Sequence, residues 1–120
     1  MRHIEDNEQI HLFDWAAMQS GKYPELALLF HIPNGGKRDA REAARFKRMG
    51  VKAGVPDLFL PVPRGKFHGL FIELKAQKGK LSEYQRQWLQ NLAASGYAAC
   101  VCFGFDEARR DIIKYLKGEF

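Results

Sequence analysis

The stretch 70-LFIELKAQKGKLSEYQ-85 decides how this chain is read. Leu70, Phe71, Ile72 and Leu74 have the apolar character of a strand inside a sheet. Glu73 and Lys75 stand among them, and burying a charge costs several kcal/mol unless it is paired or bound. Side chains alternate along a strand. Leu70, Ile72 and Leu74 therefore share one face, and Phe71, Glu73 and Lys75 the other. On that second face Glu73 and Lys75 lie about 6.6 Å apart along the strand. After a loop from Ala76 to Leu81, Ser82 and Gln85 have the S-x-x-Q spacing of a capping box that opens a helix over 83–95, closed at Gly96.

Upstream of this stretch, 57-DLFLPV-62 and 67-FHGLFIELK-75 flank the turn Pro63-Arg64-Gly65-Lys66, the pattern of an antiparallel hairpin. Pro56 forces extended geometry on Val55 and is acceptable at the start of a strand, so it fixes where Asp57 begins. Further out, 4–19 reads as an amphipathic helix with Leu12, Trp15 and Ala16 on one stripe, 26–32 (LALLFHI) as a buried strand, and 33–36 (PNGG) as loop. Residues 39–49 form a helix with Asp39 as a candidate N-cap and Gly50 at its end. The chain closes with a strand over 97–103 and a helix over 106–117. Helix, strand, helix, strand, strand, helix, strand, helix is an α/β order, a mixed sheet with helices packed on it. The 120 residues suit a single domain, 1–120, with one core.

Composition narrows the setting. No segment has the apolar run needed for a membrane span. The start MRHIEDNEQIH is polar and acidic, unlike a signal peptide, so a cytoplasmic protein is expected. Cys100 and Cys102 are one residue apart on a strand and point to the same face; a disulfide is not expected, and a lone C-x-C is a poor zinc site. They read as small buried residues in a reducing compartment. The net charge is +5, and the window 34–52 carries all of it, with seven Lys/Arg against two acids. Arg38, Arg41, Arg45 and Arg48 are spaced to line one helix face. A solvated charged face is the commoner meaning of such a run, but four arginines in register along one face suit contact with phosphates.

An acid on one strand, with an acid and a lysine on its neighbour, suits phosphodiester hydrolysis. Two carboxylates are hard oxygen ligands for Mg²⁺. A lysine beside them can orient or deprotonate water and neutralise charge in the transition state. Two other patterns fail. In 79-GKLS-82 Leu81 stands where a P-loop needs Ser or Thr, and His3, His11, His31 and His68 lack ligand spacing.

Pro56-Asp57 followed by Glu73-Leu74-Lys75 resembles the PD-(D/E)xK nuclease signature. The context 50-GVKAGVPDLFL-60, 73-ELKAQKGKLSEYQRQWL-89 and 96-GYAACVCFGFDEA-108 looks like the VRR-NUC (virus-type replication-repair nuclease) family, a small module found alone in phages and bacteria. The resemblance spans nearly the whole chain. It implies a restriction-endonuclease-like α/β fold and a Mg²⁺- or Mn²⁺-dependent DNA endonuclease. It implies metal binding by Asp57 and Glu73, with the Leu74 carbonyl as a frequent third ligand, and a catalytic role for Lys75. Glu8 matches an N-terminal-helix acid that reaches the metal directly or through water, and Gln85 a glutamine beside the active site.

Asn34 falls in a segment this family shows before its basic helix, and with Lys37, Arg38, Arg41, Arg45, Arg48 and Lys80 it makes the expected DNA surface. The resemblance further suggests a homodimer cutting branched DNA such as four-way (Holliday) junctions. Alternatives stay open: a DNA-binding module without turnover, or a sequence-specific restriction-type enzyme. Gln85 reads equally as a helix cap, and Glu8 as a first-turn acid favouring its own helix dipole.

Overall fold

A computed structural model describes residues 2–33 and 39–120, the side chains of residues 2–4 excepted. Along the chain run α1 (Arg2–Met18), a short 3-10 helix (Pro24–Leu28), β1 (Phe30–His31), α2 (Ala40–Arg48), β2 (Leu58–Leu60), β3 (Leu70–Lys75), α3 (Glu83–Ala94), β4 (Ala98–Phe103) and α4 (Phe105–Leu116). The strands form one sheet in the order β1-β2-β3-β4. β1 with β2 and β2 with β3 are antiparallel, whereas β3 and β4 are parallel, joined by the α3 crossover. The mixed α/β architecture is thus the expected one.

One face of the sheet carries the core. Leu58 and Leu60 of β2, Leu70, Ile72 and Leu74 of β3, and Ala98 and Cys102 of β4 are buried there. Leu12 and Ala16 of α1 and Ala108, Ile112, Tyr115 and Leu116 of α4 cover them. The other face begins with aromatic rings. Phe59 stacks on Phe71 at 4.1 Å between centroids, with Tyr97 edge-on to both and Phe30 edge-on to Phe59. Further along the same face come Glu73 and Lys75.

The predicted strand over 26–32 is corrected. Its first half is the 3-10 helix, and only Phe30 and His31 pair in the sheet. Pro24 sits in the first turn, where its fixed φ and missing N–H cost nothing. Leu26 and Leu29, three apart, then fall on the same side of the tight turn and are both buried. The end of β3 is buried despite its charges: Glu73 is 3% exposed and Lys75 9%.

Candidate active site

The acids meet where the β2–β3 ladder stops. The last register pair is Leu58 with Ile72, and continuing it sets Asp57 opposite Glu73 and Pro56 opposite Leu74. Pro56 has no N–H to give the Leu74 carbonyl. On the other side of that peptide register the Asp57 side chain takes over from the backbone, its Oδ2 accepting the Leu74 N–H at 2.8 Å. The Asp57 carbonyl is held from the β1 side by the Ile32 N–H at 2.6 Å, and the His31 Nδ1 lies 3.0 Å from it. The Pro-Asp pair therefore ends the ladder and turns a carboxylate onto the Leu74 N–H.

Glu73 is the most constrained group in the site. Its Oε2 accepts from Gln85 Nε2 at 3.1 Å and lies 3.6 Å from Lys75 Nζ. Its Oε1 is buried without a hydrogen-bond partner. Burial and the neighbouring Asp57 carboxylate push the Glu73 pKa up to about 8, with Lys75 pulling the other way. Lys75 is held from above by the turn 76–79, closed by Gly79 N–H to the Ala76 carbonyl at 2.9 Å. A Cβ at position 79 would come within 3.2 Å of Lys75 Cδ, so the glycine lets the turn lie on the lysine stem.

Gln85 does both things that the sequence allowed. Its Oε1 accepts the Ser82 N–H at 2.9 Å while the Ser82 hydroxyl accepts the Gln85 N–H at 3.1 Å, closing the capping box. Its Nε2 is turned the opposite way, onto Glu73. Two residues that sequence reasoning did not assign complete this wall. Trp88 Nε1, one turn along α3, donates to the Ala53 carbonyl at 3.0 Å. Gly54, at φ +89°, abuts the start of α3 so closely that a Cβ would stand 2.7 Å from Tyr84 backbone. The G-V-P-D and S-x-x-Q-x-x-W segments are therefore two sides of one contact, which sets Asp57 against Glu73. The signal was the i, i+3 pair Gln85 and Trp88, which share a helix face.

The other expected residues lie further away. Glu8 Oε1 accepts the Phe105 N–H at 2.7 Å, capping α4, whose N-cap Gly104 offers no side chain. Gly104 has φ +93°, and a Cβ there would stand 2.8 Å from Glu8 Oε1. Its N–H bonds the Lys75 carbonyl at 3.0 Å, so Glu8 borders the site through backbone. The helix dipole that it serves is that of α4 rather than its own. Lys80 is exposed just after the 76–79 turn. Arg41, Arg45 and Arg48 are exposed on α2, which buries none of its residues, and Asp39 caps that helix by accepting the Glu42 N–H at 2.8 Å. Asn34, Lys37 and Arg38 lie outside the described residues.

This arrangement suits a hard divalent cation. A buried carboxylate oxygen without a donor and a second carboxylate near enough to oppose its ionisation are oxygen ligands of the kind Mg²⁺ and Mn²⁺ take. A cation would also favour ionised Glu73, the form that burial opposes.

Residues 5–106 match the VRR-NUC domain family. Among solved structures, the chain is similar to one described as a VRR-NUC domain protein. The two are 38% identical, with a TM-score of 0.84, over 96% of this chain and 89% of that one. No match is found among curated proteins.

Proposed function

The chain belongs to the VRR-NUC domain family, and from that premise we propose that it is a divalent-metal-dependent endonuclease that hydrolyses phosphodiester bonds in DNA. The observation that carries the reading is the buried, partnerless Glu73 Oε1 beside Asp57, with the Lys75 ammonium 3.6 Å from the other oxygen. Asp57, Glu73 and the Leu74 carbonyl would hold Mg²⁺ or Mn²⁺, which when bound polarises the phosphate and stabilises the leaving oxygen. Lys75 orients the attacking water and offsets the negative charge that builds on the phosphate. Gln85 keeps Glu73 Oε2 fixed, so the free oxygen Oε1 keeps its direction. Glu8 positions the end of β3 through the start of α4.

Arg41, Arg45 and Arg48 on α2, with Lys80, supply phosphate contacts that carry no base information, which favours reading DNA shape over sequence. Branched DNA such as a four-way junction is the proposed substrate. The described residues carry one such site, so symmetrical cutting of two strands calls for a two-fold dimer. The test incubates the protein with a labelled four-way junction and a duplex in Mg²⁺, Mn²⁺ or EDTA, with sedimentation run alongside. We expect junction cleavage that needs metal, and a Lys75→Ala variant reduced by about a hundredfold or more. A Lys75→Ala variant that cuts like wild type, or no metal-dependent product on either DNA, would end the enzymatic reading. A monomer on the junction would end the dimer.

A further inference from the structure

The opposite face of the sheet holds a second cluster of ligand atoms. Register pairs Glu73 with Val101, so Cys100 and Cys102, on either side of Val101, point away from the Glu73 side. Both cysteines are free thiols. Their Sγ atoms are 3.9 Å apart, and Cys102 Sγ lies 3.3 Å from Asp111 Oδ2 on α4. The ligand atoms of all three residues fall within 4.8 Å of one another. Cys102 is fully buried, and Cys100 and Asp111 are partly open to solvent. Among the described residues, no lysine or arginine forms an ion pair with Asp111.

From this geometry we infer that Cys100, Cys102 and Asp111 form a binding site for a thiophilic divalent cation of the Zn²⁺ type, tying β4 to α4. Tetrahedral Zn²⁺, with bonds of about 2.3 Å to sulfur and about 2.0 Å to carboxylate oxygen, sets its ligands about 3.8 Å apart for two sulfurs and about 3.5 Å for sulfur and oxygen. The observed 3.9 Å and 3.3 Å are close to both. Three protein ligands leave a fourth position, and the open side at Cys100 and Asp111 admits water to it. The ligands are soft where those of the Asp57–Glu73 site are hard, so the two sites select different ions. Without a cation, the adjacent sulfur, burial and the Asp111 carboxylate hold the Cys102 thiol well above the usual range, because together they oppose the thiolate. Binding therefore releases thiol protons to solvent. The inference does not depend on the nuclease reading.

Co²⁺ reports on this directly, because thiolate ligation gives a near-ultraviolet charge-transfer band that carboxylate ligation does not. We expect one equivalent of Co²⁺ to produce that band in the fully reduced protein, and Zn²⁺ to abolish it by displacement. Cys100→Ser and Asp111→Asn, both at partly exposed positions, should lose the band while keeping the far-ultraviolet circular dichroism of the wild type. Asp57→Asn should retain it. Zn²⁺ should raise the melting temperature of the wild type and not that of Cys100→Ser. A reduced wild-type protein that shows no band, or a band that survives Cys100→Ser, would overturn the inference.

Discussion

At the scale of single residues, Glu73 shows why the charges of 70–85 belong where they are. A carboxyl group that is 3% exposed and faces another carboxylate resists ionisation, and its pKa rises from 4.5 to about 8. Between those two values the folded protein holds a proton at Glu73 that the unfolded chain releases. Stability of the metal-free protein should therefore fall as pH rises across that window. In EDTA, Glu73→Gln should flatten this dependence and stabilise the protein at pH 8, by on the order of 2–4 kcal/mol. Thermal denaturation from pH 5 to pH 8 measures it, and a wild-type melting temperature that climbs over that range would contradict the burial argument. Gln85 shows the limit of reading one residue at a time: S-x-x-Q and a glutamine beside the acid looked like rivals, yet one amide satisfies both from its two ends.

At the scale of elements, the site depends on how α3 meets the 53–57 segment. Gly54 and Gly50 both have positive φ, but a Cβ at Gly50 meets open space while one at Gly54 meets the Tyr84 backbone at 2.7 Å. Alanine at either position strains the backbone by about 1–3 kcal/mol. Only Gly54→Ala should also push Asp57 away from Glu73, so it should lose cleavage where Gly50→Ala keeps it; equal activity in the two variants would refute the contact's role. The basic helix α2 is the opposite case, an element that buries nothing. Arg41→Glu with Arg45→Glu should leave the melting temperature near that of the wild type, weaken DNA binding and make it less salt-dependent. Metal affinity, read by calorimetry, should stay the same. The 26–32 segment departs from the strand its sequence suggests because a short, largely apolar run suits a strand or a tight helical turn alike, and Pro24, just outside the run, decides between them.

Across the whole molecule, the candidate site and the buried Tyr115–Val62 hydrogen bond lie at opposite ends of the sheet. β2 and β3 are antiparallel, so Asp57 and Lys75 share one end and the 61–69 connection lies at the other. At that far end the Tyr115 hydroxyl donates to the Val62 carbonyl at 2.6 Å in a buried setting. Tyr115→Phe should cost about 1–2 kcal/mol, seen as a lower melting temperature, without changing metal-dependent cleavage. A loss of cleavage in the folded variant would show that the two ends are coupled.

The α/β order, the hairpin, the caps at Asp39 and Ser82, and the face shared by Glu73 and Lys75 were all legible in the amino-acid sequence. Each of these follows from spacing within one segment, where backbone geometry repeats. The burial of the β3 end, the service of Glu8 to α4, the bracing of the site by Gly54 and Trp88, and the meeting of Asp111 with the two cysteines emerge from the folded chain alone. Those depend on distances between segments far apart in the chain or on adjacent elements folded back on each other, and packing rather than local periodicity sets them.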